Sequence, residues 1–143
     1  MNTHQKGYIA EQLVKLKAIA SGWNAAKPEV EDRYDLILDD GTRLYRIQVK
    51  YVNSLCGEAL AVDLRKECRG DGKRKVYTTS EIDAVIVYSP QTDKMYWLPP
   101  TVFDGKKSVN LRFEATKNGQ QKGVRYLKDF EWAASINSDA ALS

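Results

Sequence analysis

Residues 34–50 read YDLILDDGTRLYRIQVK, and this stretch constrains the fold more tightly than any other part of the chain. Tyr34 to Leu38 is an apolar run suited to a buried strand, interrupted by one carboxylate, Asp35. An ionised side chain in such a strand is costly unless it is paired, hydrogen-bonded or bound to a cation. Asp39-Asp40-Gly41 follows as a hairpin signal, because Asp-Gly accommodates the positive φ angles of a type I′ turn. Arg43 to Val52 then alternates as a return strand, with Leu44, Arg46, Gln48 and Lys50 on one face and Tyr45, Ile47, Val49 and Tyr51 on the other. A loop of Asp40 and Gly41 alone sets Asp35 opposite Arg46, with Gln48 on the diagonal. A loop two residues longer sets Asp35 directly across from Gln48. Both registers gather Asp35, Gln48 and Lys50 on one face, whereas a one-residue slip separates them.

Around this hairpin the chain reads as a helix, a series of strands and a second helix. Gln5 to Ala20 is predicted helical, with Ile9, Leu13, Leu16 and Ala20 on one stripe and Gly22 as its stop. Glu11 lies almost opposite, on a face shared with Gly7, Val14 and Ala18. A face of such small residues admits another backbone closely, so the helix is expected to be covered on two sides with Glu11 aimed at something. Further strands are expected at 23–27, 58–66, 73–79, 82–88, 95–98 and 108–114, with Pro99 and Pro100 ending the fifth. Gly123 to Ala133 is expected to be helical, packing through Val124, Leu127 and Trp132. The whole predicts one domain over residues 1–134 and a frayed tail over 135–143.

Composition narrows the function. A charged fraction of 29% and a hydrophobic fraction of 43% describe a chain that folds. Two cysteines and one histidine, with no metal-ligand spacing among them, argue against a structural zinc site. Unpaired thiols without a signal peptide or a long apolar run fit the cytoplasm and no membrane partner. The net charge of +3 conceals a local excess at 65–75, RKECRGDGKRK. Such a loop is either a polyanion contact or a solvated hairpin tip. If the flanking strands pair, they make a two-stranded ribbon of the width that a DNA major groove admits, with Lys66, Arg69, Lys73, Arg74 and Lys75 along it.

Asp35 suits the principal ligand of a hard cation such as Mg²⁺, which takes one or two carboxylates and keeps several waters. Lys50, two residues beyond Gln48 on the same face, suits a group that orients water and stabilises phosphate charge. The Gln48 amide oxygen, the Val49 carbonyl and Glu11 complete the oxygen set. Each residue taken alone has an ordinary reading: Asp35 capping the turn or pairing with Arg46, Gln48 as a plain sheet residue, Lys50 reaching for solvent. Their order and shared face favour phosphodiester hydrolysis.

The succession of a helical Glu11, Tyr34-Asp35, a hairpin and Gln48-Val49-Lys50 resembles the PD-(D/E)xK nuclease motif. More closely, the chain is similar to the compact PD-(D/E)xK homing endonucleases of cyanobacterial group I introns. That likeness rests on KGYIAE (6–11), residues 34–50, IDAVIVY (82–88) with the following YWLP, and LRFEATKNGQQKG (111–123). It implies a restriction-endonuclease-like α/β (α+β) fold, in which a mixed central sheet is flanked by helices. It further implies catalysis by Glu11, Asp35, Gln48 and Lys50, with Mg²⁺ or another divalent ion such as Mn²⁺ at Asp35, Val49 and Glu11. The substrate implied is double-stranded DNA. Two scissile strands call for a homodimer or larger assembly, a tetramer by analogy. Tyr34 replaces the motif's proline, and Gln48 replaces its second carboxylate, as glutamine also does in those intron enzymes; a neutral amide weakens metal binding unless Glu11 compensates. A Holliday-junction resolvase, a restriction endonuclease and a non-cutting DNA-binding module are the rival expectations.

Overall fold

A computed structural model of the chain describes residues 1–30, 33–68, 70–114 and 124–132; Arg69 and the predicted tail at 135–143 lie outside these. The first half runs α1 (Thr3–Ala20), β1 (Asn24–Ala26), β2 (Leu36–Asp39), β3 (Leu44–Tyr51), β4 (Leu55–Cys56), β5 (Ala59–Asp63) and β6 (Arg65–Glu67). The second half runs β7 (Arg74–Val76), β8 (Ala84–Ser89), β9 (Lys94–Leu98), α2 (Pro100–Phe103), β10 (Ser108–Arg112), β11 (Arg125–Tyr126) and a 3₁₀ turn at Leu127–Asp129.

Five strands form the principal sheet in the order β1-β2-β3-β8-β9, antiparallel except for the parallel pair β3 and β8. A parallel pair needs a long crossover, and here β4 to β7 occupy it instead of a helix. The second sheet is β11-β10-β5-β4, and β6 with β7 makes a separate ribbon. One face of the principal sheet carries Leu36, Leu38, Ile47, Ala84 and Ile86 and packs on Val14 and Ala18 of α1. Trp23, Tyr45, Trp97 and Trp132 enclose that layer, with ring centroids 5.1–6.0 Å apart. The other face contributes Val85, Val87, Tyr96 and Leu98 to a core shared with Leu60, Val62 and Leu111 of the second sheet. Gln48 and Lys50 stand beside Val85 and Val87 in the parallel register, so they belong to this second, inter-sheet face.

The first helix is capped reciprocally: Asn2 Oδ1 accepts from the Gln5 N–H at 2.9 Å, and Gln5 Oε1 accepts from the Asn2 N–H at 2.8 Å. It ends where Gly22 adopts φ 85°. Its buried residues are Ala10, Val14 and Ala18, so the small-residue face meets the sheet while the predicted stripe turns outward, with Leu16 63% exposed. Small side chains let a helix axis approach a sheet closely, which hydrophobicity alone does not register. Among the described residues the helix is covered on one side, and an added Cβ at Gly7 would meet nothing within 4 Å.

Two further expectations change. The run at 58–66 divides at Leu64: β5 joins the second sheet, and only β6 pairs with β7, matching Lys66 with Lys75. The described part of the predicted C-terminal helix, residues 124–132, is a short strand and a 3₁₀ turn. Unpaired backbone on the sheet edges decides this: β11 pairs with β10, the Trp97 N–H donates to Phe130 O at 2.7 Å, and the Trp132 N–H donates to Met95 O at 2.8 Å. Leu127 and Trp132 are nevertheless buried, as expected of them. Both cysteines are free thiols, and no described helix is long and apolar enough to cross a membrane.

Candidate active site

The loop between β2 and β3 is the longer of the two alternatives. Asp39 pairs with Leu44 and Leu36 with Ile47, leaving residues 40–43 as the loop and bringing Asp35 to the level of Gln48. Asp40 builds this loop, its Oδ1 accepting from the N–H groups of Thr42 and Arg43 at 2.8 Å each and its Oδ2 from the Tyr45 hydroxyl at 2.9 Å. Those donors, led by the two backbone N–H groups, hold its carboxyl down at about 2. The turn therefore closes on the Asp40 side chain and on the Asp40 N–H, which donates to Arg43 O at 3.2 Å, and not at the two residues Asp40 and Gly41 in type I′ geometry.

Ahead of β2 the ladder shifts by one residue. The Asp35 N–H donates to Ile47 O at 2.9 Å, and the Val49 N–H donates to the Asp35 side chain, Oδ2, at 2.9 Å. The same Oδ2 accepts from Gln48 Nε2 at 2.8 Å. A carboxylate that holds the NH₂ end of an amide turns the oxygen end away. Gln48 Oε1 is accordingly buried without a hydrogen-bond partner, in a residue only 8% exposed. An orphaned buried amide oxygen is one that a cation or a water would satisfy. One charged and several neutral oxygens fit a hard divalent ion, so these residues fit the group that the sequence implies. Among the described residues there is no cluster of three or more His, Cys, Asp or Glu side chains, so a metal here would lean on amide and backbone oxygen and on water.

Lys50 leaves the same face of β3. Its Nζ donates to Arg65 O at 3.0 Å and lies 5.4 Å from the centroid of the Tyr77 ring. Burial pushes the Lys50 ammonium below the ordinary lysine range, against the upward pull of the Asp63 and Asp35 charges. Burial likewise pushes the Tyr77 phenol up, with Asp35 and Asp63 adding to it. Asp35, Gln48, Lys50, Asp63 and Tyr77 thus form one electrostatic neighbourhood. Asp63 and Tyr77 were not among the residues expected from the sequence. Alternation through 58–66 sets Asp63 opposite the buried Val62 and Leu64, but nothing local marks its proximity to Lys50.

Glu11 stands one turn before Val14 at the margin of the buried helix face, with its side chain 17% exposed and its Oε1 3.0 Å from Lys27 Nζ. Arg46, the alternative partner considered for Asp35, is engaged elsewhere: its Nε and Nη2 donate to Asp83 at 3.1 Å each. Of the predicted basic residues, Arg74 lies 2.6 Å from Asp63 and Lys75 lies 3.4 Å from Glu81. Lys73 is exposed, Lys66 is half-buried, and Arg69 falls outside the described residues.

The principal sheet, with α1 on one face and the second sheet on the other, thus brings Asp35, Gln48 and Lys50 together. The PD-(D/E)XK endonuclease family model matches residues 1–133, and the chain belongs to that family. Its fold is similar to that of a bacterial homing endonuclease, I-Ssp6803I, with a TM-score of 0.74 and 24% identity over 99% of this chain and 97% of that one. A second similarity is to the Holliday junction resolvase Hjc of Archaeoglobus fulgidus, with a TM-score of 0.48 and 16% identity over 75% of this chain and 84% of that one. No curated protein matches the chain.

Proposed function

We propose that this PD-(D/E)XK endonuclease is a divalent-metal-dependent, site-specific enzyme that cuts double-stranded DNA in the manner of an intron-encoded homing endonuclease. The observation that carries the reading is the Asp35–Gln48 pair, whose hydrogen bond fastens the carboxylate through the amide NH₂ and leaves the Gln48 amide oxygen buried and unsatisfied. Asp35, the Gln48 amide oxygen and the Val49 carbonyl would hold Mg²⁺ or Mn²⁺, with Glu11 joining directly or through water. When bound, the ion supplies positive charge that activates water and offsets charge developing on the phosphate.

The remaining work falls to the chain itself. Asp35 is oriented for its task by the Val49 N–H and the Gln48 amide. Lys50 brings a partly desolvated ammonium to the same face, where it contacts a non-bridging phosphate oxygen and positions the attacking water. Lys66, Lys73, Arg74 and Lys75, with Arg69, contact the DNA from the ribbon side. Each chain contributes one such site, so cutting both strands requires a homodimer or larger assembly.

A plasmid library with random inserts, incubated with Mg²⁺ or Mn²⁺, tests the reading. The wild-type chain is expected to linearise a discrete subset of members. Lys50→Ala and Asp35→Asn are expected to reduce cleavage by at least about 100-fold while retaining DNA in a gel-shift assay with Ca²⁺. Absence of cleavage of every member by the wild-type chain would overturn the reading in favour of a binding module.

A further inference from the structure

Lys50 does not reach its position by strand geometry alone. Its ammonium is held by a backbone carbonyl, that of Arg65, at 3.0 Å, and that peptide sits at the bend where β5 gives way to β6. The bend is organised by one carboxylate. Asp63 Oδ1 accepts from the Arg65 N–H at 3.0 Å and from Arg65 Nε at 3.0 Å, fastening both the backbone and the side chain of Arg65. Asp63 Oδ2 accepts from Arg74 Nη1 at 2.6 Å, which ties down the facing strand of the basic ribbon. A single side chain therefore stands between Arg74 of the ribbon, proposed above to contact DNA, and the peptide that holds the lysine.

We propose that Asp63 is a positioning residue for Lys50: it acts through the Arg65 peptide, and in the free protein it also withholds Arg74 from DNA. The proposal rests on the nuclease reading above and on the assignment of Lys50 within it. Loss of Asp63 then moves catalysis and binding in opposite directions. The bend loosens and the Arg65 carbonyl no longer fixes the ammonium, while Arg74 loses a competitor for phosphate. A merely structural role would not divide the two effects in this way. The Asp63 side chain is 37% exposed, so its truncation removes no core packing.

The experiment compares wild type, Asp63→Ala and Asp63→Asn on a cleaved member of the same plasmid library, well below the melting midpoint of each. Asp63→Ala is expected to lower the single-turnover rate by about 10- to 100-fold, with a Kd for that DNA in Ca²⁺ equal to or lower than that of wild type. Asp63→Asn keeps an oxygen for the Arg65 N–H and is expected to fall between the two in rate. A wild-type rate in Asp63→Ala, or binding and cleavage lost in equal proportion, would overturn the proposal and leave the nuclease reading intact. Should Asp63→Ala not fold, an undiminished rate in Asp63→Asn overturns it. A wild-type chain that cuts nothing sinks both.

Discussion

At the scale of single residues, carboxylates do three different jobs within a few strands. Asp40 shapes a turn, Asp35 gathers an amide and a backbone N–H, and Asp83 neutralises an arginine. Asp83 accepts from the Arg46 N–H at 2.8 Å as well as from the guanidinium. Chiefly through the Arg46 guanidinium, this holds the Asp83 carboxyl below the ordinary aspartate range, despite partial burial. Because the folded-state value is depressed, the stabilisation is complete above the unfolded value of about 3.9 and is lost as pH falls through the lower folded value. Hydrogen bonds to a charged group at such a site contribute about 1–3 kcal/mol. Asp83→Asn should therefore melt earlier than wild type at neutral pH, and the gap should close on acidification below about pH 4. Melting curves with the same gap at both pH values would contradict the assignment. At Gln48, by contrast, a neutral side chain stands where the family pattern has a carboxylate, and the amide donates to Asp35 instead of repelling it.

The secondary elements show which sequence signals were sufficient. Period-2 alternation placed Gln48 and Lys50 on one face of β3, because neighbouring residues of a strand must point to opposite sides. The register against β2 did not follow, since it depends on how the turn closes, and the four Asp40 hydrogen bonds that close it are a three-dimensional outcome. The helix stripe misled for another reason: residue size, not hydrophobicity, selected the face that meets the sheet. The ribbon of β6 and β7 carries its own prediction. Lys66 and Lys75 lie directly opposite each other, and Lys75 is 3.4 Å from Glu81. Changing Lys66, Lys73 and Lys75 to glutamate should weaken DNA binding and reduce the slope of log K against log salt by roughly 0.9 for each phosphate contact removed. Unchanged affinity and slope would exclude the ribbon from the interface.

For the whole molecule, the two sheets meet along an apolar core beside which Asp35, Gln48 and Lys50 lie. Val85, Val87, Leu60, Val62 and Leu111 are buried there, and Gln48 and Lys50 emerge at its border. The proposed cleavage of both DNA strands needs two such sites. Sedimentation at micromolar concentration should therefore give the mass of two or four chains; a monomer would contradict the assembly proposed here. The exposed apolar side chains of α1, Tyr8, Leu16 and Ile19 among them, are consistent with a surface that assembly covers.

From the sequence alone came the strand faces, because these depend on local periodicity, and, through the resemblance of residues 6–11 and 34–50 to a known family, the motif and the type of fold. The tertiary structure decided what depends on residues distant along the chain. It chose the register that pairs Asp35 with Gln48, gave Arg46 to Asp83 instead of Asp35, and brought Asp63 and Tyr77 to Lys50. The Lys50 contacts join β3 to the segments that cross from one sheet to the other. Their geometry is set by how two sheets pack, which no window of sequence contains.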